Sequence, residues 1–425
     1  MSITIAPPGM NRRHFLQHLA GASALAWPAM SFAAALRNGA AELKKNQRAA
    51  ILLWMNGGPS TIDIWDLKPG APTGGPFRPI ATSGDEQICE HLPLLAKQMH
   101  HLSIIRAMST READHMRGRY HMHTGFVPDP SLEHPGYGSV VSHMLAEQTR
   151  QLELAIPPFV AVGGGSVGPG FLGMAHAPFV VNPDGNVRNL KMAVDATRLS
   201  QRMHMLAALE KNFVKQDRGQ SAADHANVLD KTVSLMSSKQ MEAFQVSLEP
   251  LAVRERYGNS NFARGCLMAR RLVEQGVPFI EVDSVGWDTH GDNFRTLGEN
   301  KLPDLDKAMS ALMSDLDERG LLERTAVIWM GEFGRTPRIN GNSGRDHWAS
   351  CWSAVVGGAG MKGGIAVGRT NSDGTEVDGE PRTAQDLMAT ICKSLGIPLE
   401  TTFTSPNGRP LKIANGGKPI SELFA

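Results

Sequence analysis

Cysteine is scarce in this chain, and its four copies, Cys89, Cys266, Cys351 and Cys392, are scattered. No two form a C-x-x-C pair, so neither a disulfide framework nor a thiolate zinc site is expected, and each thiol is read as a small buried apolar group. Aromatic residues make up 6% and include only three tyrosines, too few for the stacking platforms that hold single-stranded nucleic acid. Charge of one sign is also missing. A formal net charge of +1 gives no electrostatic reason to expect DNA or RNA as a partner. No run approaches about 18 uninterrupted apolar residues, so no stable membrane span is expected. The glycine run Gly163-Gly164-Gly165-Ser166-Val167-Gly168 lacks a following Gly-Lys-Ser/Thr, which rejects a nucleotide P-loop. No G-x-S-x-G nucleophile elbow is read in the chain either, so an α/β-hydrolase serine triad is not expected.

What is present begins with an address. Asn11-Arg12-Arg13-His14-Phe15-Leu16-Gln17 matches the twin-arginine export pattern, and a weakly apolar stretch from Leu19 to Trp27 leads to Ser31-Phe32-Ala33, a small-x-small cleavage site. The expectation is a signal peptide over residues 1–35, a polar linker over 36–48, and passage to the periplasm by the twin-arginine export machinery. That route carries folded proteins, often with a cofactor already loaded, which favours a metal.

Beyond the linker, Ala49–Trp54 reads as a buried first strand that breaks at the glycine-rich turn Asn56-Gly57-Gly58-Pro59. His101–Arg106 and Phe159–Val162 read as further strands, and the polar stretch from about 199 to 255 as an inserted helical cap. Phe262, Cys266, Ala269 and Val273 mark a helix ahead of a strand at Phe279. Leu305, Met309, Leu312 and Leu316 share one helix face ahead of a strand at Val327. Thr383 caps a last helix that ends at Gly396. Strands alternating with helices predict one α/β domain over 49–425, its mainly parallel sheet covered on both faces.

Three short polar clusters follow or flank the apolar runs of the C-terminal half. Trp287-Asp288-Thr289-His290 follows the Phe279 strand, Gly331-Glu332-Phe333-Gly334-Arg335 follows the Val327 strand, and Gly344-Arg345-Asp346-His347-Trp348 lies just beyond. In an open parallel sheet, ligands bind outside the carboxyl ends of the strands. Asp288 and His290, two residues apart on extended backbone, point the same way and can share a cation. Glu332, Asp346 and His347 are the further candidates, and oxygen and imidazole donors without thiolate suit zinc, manganese or magnesium-like ions. A fourth cluster, Asp114 to Gly125, holds three histidines and two arginines. Arginine offers a planar fork for phosphate or sulfate oxygens, and histidine can serve as base, acid or ligand.

Several of these motifs together resemble the exported bacterial family catalogued as domain of unknown function 1501, from about Ala49 to the C-terminus. They are Gly57-Gly58-Pro59-Ser60 with Asp63 and Asp66-Leu67-Lys68-Pro69, His115 through Gly125, Cys266 to Val273, Trp287 to His290, Glu332 to Pro337, and Gly344 to Trp348. That family is similar to the alkaline phosphatase and sulfatase superfamily. The resemblance implies a three-layer α/β/α sandwich, one or two divalent metals, and hydrolysis of phosphate or sulfate esters. It puts Asn56 in the place of the metal-binding aspartate after the first strand. Asp283, Asp288 and His290 resemble the acidic and histidine ligands of a later strand, Glu332-Phe333 stands in place of an Asp-His pair, and His347 resembles the final metal histidine. Counted back from Thr124-Gly125, the sulfatase signature places Arg119 on its arginine and His115 on its nucleophile, where Cys, Ser or Thr is usual.

The expectation drawn from the resemblance is a periplasmic metal-dependent hydrolase of phosphate or sulfate esters. Asn56, Asp288, His290, Glu332, Asp346 and His347 would hold a divalent cation, zinc first and manganese, calcium or magnesium also, with Arg119 as anion clamp and His115 as nucleophile or general base. Its partner would be an anionic small molecule or a cell-surface glycan or ester. A second expectation, of a different class, follows from the missing hydroxyl or thiol nucleophile and from Asn56 and Phe333: an exported binding or assembly protein without turnover on the same fold.

Overall fold

The central strand explains why both faces of the sheet need cover. The computed structural model describes residues 47–185, 194–215, 235–236 and 238–424, so the expected signal peptide and nearly all of the linker lie outside the described residues. Strand β1 (Ala49–Met55) is buried along its whole length. Side chains alternate across a strand, so Ile51, Leu53 and Met55 enter one core, and Ala50, Leu52 and Trp54 enter another on the opposite face. An unbroken apolar run is the signature of such a strand.

The remaining strands of the main sheet are β2 (Leu102–Met108), β3 (Phe159–Val162), β4 (Phe179–Val181), β5 (Phe279–Ser284), β6 (Thr325–Met330), β7 (Trp352–Gly357) and β8 (Ala366–Val367). Their order is β8-β2-β7-β6-β1-β5-β3-β4. Every pairing is parallel except those of β7, which runs antiparallel to both β2 and β6. The expected mainly parallel α/β sheet is therefore present, with one reversed strand that apolar content alone does not disclose.

Helices α1 (His115–Thr124), α2 (Tyr137–Met144), α3 (Asn261–Gln275), α4 (Leu302–Glu318) and α5 (Ala384–Ser394) flank it. Residues of α3 and α4 enter the core that holds Ile51 and Leu53, and residues of α2 and α5 enter the core that holds Leu52 and Trp54. Helix α5 starts on a capping box in which Thr383 and Asp386 each accept from the other's backbone N–H, as the Thr-x-x-Asp spacing requires. Within the stretch read as an insert, a helix spans Ala196–Lys215 and a short one Leu251–Tyr257, while residues 216–234 lie outside the described residues. No helix among the described residues is long and apolar enough to cross a membrane.

The register decides what meets at the sheet edge. In β1, Met55 pairs with Ser284 of β5 and Trp54 with Met330 of β6, all three strands running the same way. Asn56-Gly57-Gly58, the segment from Val285 to His290, and Glu332 consequently leave the sheet side by side. Gly57 (φ +116°) passes so close to Asp288 that a Cβ there would lie 2.5 Å from its backbone nitrogen. Only glycine fits that position without displacing the Asp288 segment.

Candidate metal centre

Asp288 is the hub of the polar cluster at this edge. Its Oδ2 lies 3.4 Å from His115 Nε2, and its Oδ1 lies 3.1 Å from His290 Nε2 and 3.4 Å from His347 Nε2. The two latter nitrogens are 3.0 Å apart. His115, Asp288 and His347 each offer one ligand atom within 4.8 Å of the others, and His290 adjoins two of the three.

Each imidazole is held from behind by its other nitrogen. His115 Nδ1 donates to Glu332 Oε1 at 2.6 Å, His290 Nδ1 to Asp346 Oδ1 at 2.7 Å, and His347 Nδ1 to the Ala113 carbonyl at 2.7 Å. A carbonyl can only accept, and an ionised carboxylate likewise, so Nδ1 carries the hydrogen in all three rings, and in the neutral ring Nε2 presents a lone pair. Three lone pairs thus converge on one carboxylate. Of these atoms, His115 Nε2 is buried with no hydrogen-bond partner. An orphaned donor atom of this kind, in a set of three imidazoles and one carboxylate, fits a divalent metal.

The supports are built from distant parts of the chain. His115 opens α1, whose N-cap Asp114 accepts from Arg117 N. Gly118 lets the helix lie against Glu332 and Phe333, where a Cβ would come within 3.2 Å of the Glu332 Cβ. Glu332, 1% exposed, also accepts from Gly57 N at 3.0 Å. Arg335 is buried and donates to the Gly57, Gly58 and Arg345 carbonyls and to Asp288 Oδ1. Residues Gly334–Arg335 pair antiparallel with His347–Trp348, which sets His347 beside the cluster. Arg345, fully buried, grips Asp63 with two bonds of 2.8 Å and anchors the loop that carries Asp346 and His347.

The electrostatics follow from these contacts. The hydrogen bond to Glu332 raises the His115 pKa above the usual histidine value, against the opposing effect of burial. Burial pushes the Asp288 carboxyl up, but the Arg335 hydrogen bond and charge, with the neighbouring histidines, outweigh it and hold the group below the usual carboxylate range. Burial lowers the His347 pKa. The His290 hydrogen bond lowers that of Asp346.

The other candidates sit elsewhere. The Asn56 side chain donates to Asp283 Oδ2 at 3.5 Å rather than to the histidine cluster, and its carbonyl accepts from Trp287 N at 3.2 Å. Burial pushes the Asp283 carboxyl up to about 6. Arg119 lies one turn beyond His115 on α1, 3.7 Å from Glu281 Oε1, donating to the Gly165 carbonyl and lying over the Trp54 ring. His123, a further turn on, bonds Glu281 Oε1 at 3.1 Å. The spacing 115, 119, 123 is one helix face, a pattern that could have joined the three residues at the start.

The sequence reading missed Glu281 and Ser166 altogether, and one of its expectations is corrected here. Gly164-Gly165-Ser166-Val167-Gly168 does spell G-x-S-x-G. Reading the run only as a failed phosphate cradle hid the pattern. It follows strand β3, but a 3-10 turn at Gly170–Leu172 rather than an α-helix comes next, so the strand–turn–helix setting of an α/β-hydrolase elbow is absent at this position.

A family model described as Protein of unknown function (DUF1501) matches residues 47–424. No curated protein matches the sequence. Solved structures similar to the chain include a sulfatase from Pseudoalteromonas sp., at 12% identity over 85% of this chain and 71% of that one, TM-score 0.39. They also include a protein in the alkaline phosphatase superfamily from Vibrio parahaemolyticus, at 10% identity over 89% and 71%, TM-score 0.38. Alkaline phosphatase from the Antarctic bacterium TAB5 is similar at 12% identity over 83% and 99%, TM-score 0.33.

Proposed function

The chain belongs to the DUF1501 family, and on that premise we propose that it is an exported, periplasmic, metal-dependent hydrolase of phosphate or sulfate esters. One observation carries the reading: three imidazoles, each anchored through Nδ1, turn Nε2 onto the single carboxylate of Asp288. His115, Asp288, His290 and His347 would hold the metal. Glu332 and Asp346 act one step back, fixing the ring tautomer and direction, as carboxylates behind metal-bound histidines do. His115 is thereby assigned to the metal rather than to nucleophilic attack. Asn56 is left to orient Asp283.

Three nitrogen donors and one carboxylate suit zinc first and manganese next, whereas calcium and magnesium prefer shells of oxygen. When bound, the metal supplies a Lewis acid for a phosphoryl or sulfuryl oxygen and a water of lowered pKa. The side chains of Asp288 and His290 are about half exposed, at 45% and 46%, so an anionic ester can reach them from solvent. Arg335 contributes fixed positive charge behind Asp288 without touching solvent.

The test is a panel of aryl phosphates and aryl sulfates, assayed on the exported protein as purified, after chelation, and after zinc or manganese return. Turnover that disappears with the chelator and comes back with the metal is the expected outcome. Metal-dependent ester binding with no turnover would instead favour a binding protein.

Glu332→Gln gives a second readout. Losing a carboxylate behind a metal-bound histidine should weaken metal affinity about 10–100-fold. The pH dependence has a definite sign. A raised His115 pKa means that the metal-free pair with Glu332 is most stable below the ordinary histidine value and loses that contribution as pH rises through the raised one. Metal needs the neutral ring, so acid opposes loading, and in the wild type it does so from above the ordinary histidine pKa. Glu332→Gln should move that onset to lower pH. Metal titrations across pH check both effects, and an unchanged affinity and onset would remove Glu332 from this role.

A further inference from the structure

We infer that Ser166 is a reactive serine that attacks tetrahedral phosphorus, with Glu281 receiving its proton and Arg119 facing the incoming anion. Nucleophiles are absent from the His115 position, but the tertiary structure brings one to the same helix from a loop some way along the chain. Ser166 Oγ donates to Glu281 Oε2, and the carboxylate beneath it is 1% exposed. The other oxygen of Glu281 is held by His123 Nε2 at 3.1 Å, and His123 Nδ1 is held in turn by the Arg119 carbonyl at 2.9 Å. Hydroxyl, carboxylate and imidazole are thus locked in sequence. A nucleophile whose base is oriented by a third group is the general arrangement of covalent catalysis.

Two features present the hydroxyl. Gly163 adopts φ +87° directly after β3, so the chain turns sharply at the strand end, and a Cβ on Gly165 would meet nothing within 4 Å. Gly164 packs against Asp283 so tightly that a Cβ would lie 2.0 Å from its Oδ2, which fixes the floor of the loop. Ser166 itself is half-buried. The Arg119 guanidinium, 22% exposed, stands beside Glu281 with one face on Trp54. That leaves a cation on the Gly165 carbonyl and beside the carboxylate that holds Ser166, positioned to meet a phosphoryl oxygen. Burial opposes ionisation of Glu281, but the charge and hydrogen bond of His123, with Ser166 and Arg119, hold it below the usual carboxylate range. The proton acceptor is therefore ionised at neutral pH.

In the proposed step Ser166 Oγ forms a bond to phosphorus while the bond from phosphorus to the leaving oxygen breaks. The hydroxyl proton passes to Glu281 and from there, relayed through a water that is not consumed, to the leaving alkoxide, which restores the carboxylate. A second water then cleaves the phosphoseryl ester and restores the serine, so the balance is one ester and one water giving one alcohol and one phosphate. This physiological form rests on the hydrolase reading above, whereas its test does not.

The experiment treats the native, metal-loaded protein with a fluorophosphonate probe and maps adducts by peptide mass spectrometry. Here Oγ–P forms, P–F breaks and fluoride leaves. The expected result is an adduct at Ser166 at least tenfold faster than at the exposed Ser372 in the same molecule. The adduct should be absent in Ser166→Ala and slowed at least tenfold in Glu281→Gln. His123→Gln, which keeps the carboxylate, gives a second slowed variant should Glu281→Gln fail to fold. No adduct on Ser166, or labelling no faster than on Ser372, overturns the inference. Metal content is measured on the same samples, so an unlabelled Ser166 on a metal-loaded, ester-cleaving protein sinks this inference alone. A labelled Ser166 on a protein that neither holds metal nor cleaves esters sinks the hydrolase reading alone.

Discussion

Asp288→Ala is expected to abolish the proposed metal binding while leaving the fold in place. The carboxylate is the one group that all three imidazole Nε2 atoms approach, and no other oxygen ligand is grouped with His115 and His347 among the described residues. A full zinc site in a small peptide is worth about 10–16 kcal/mol, so one of four ligands accounts for roughly 3 kcal/mol or a hundredfold in affinity. Removing Asp288 also exposes the three rings to the Arg335 guanidinium, whose charge it now neutralises. The loss should therefore exceed that of Glu332→Gln, which keeps every ligand. Competition against a chromogenic chelator measures it. Asp288 also pairs the buried Arg335, so the metal-free variant should melt below the metal-free wild type, though by less than Arg345→Ala because Asp288 itself is about half exposed. Wild-type metal affinity in Asp288→Ala would end the assignment.

Arg345→Ala should produce the largest loss of stability. Arg345 and Asp63 are both essentially without exposure at their side chains. They share two 2.8 Å bonds, and Arg345 also donates to the Thr336 and Thr73 carbonyls at 3.0 and 2.9 Å. Ser60 and Asn293 complete the shell of Asp63 at 2.6 and 2.9 Å. Deleting one partner of a buried pair leaves the other charge desolvated and unpaired, at a cost of about 3–5 kcal/mol. Asp346 and His347 follow Arg345 directly in the chain, so metal binding should weaken as well. The double replacement Asp63→Asn with Arg345→Met should cost less than the two single changes added together, since no isolated charge remains. Urea unfolding midpoints of the wild type, Arg345→Ala, the two single changes and the double replacement decide the matter. An Arg345→Ala midpoint equal to the wild type would show the pair to be idle.

Much of the architecture is legible in local sequence because local rules govern it. The unbroken apolar run of β1 announces a strand covered on both faces. The Thr383-x-x-Asp386 spacing announces the start of α5, and the clusters at Asp288, Glu332 and His347 lie where a parallel sheet gathers its loops. Those features depend on side-chain period, capping and turn chemistry over a few residues. The roles within the site do not. Whether Glu332 and Asp346 touch a cation or the Nδ1 hydrogen of a neighbouring ring depends on which nitrogen faces which atom, and His115 meets Glu332 across 217 positions of sequence. Ser166 finds Glu281 across 115, and β7 is reversed only because of how the chain returns to the sheet. Strand order and register are long-range outcomes of packing, and they alone select which distant polar groups share a hydrogen bond.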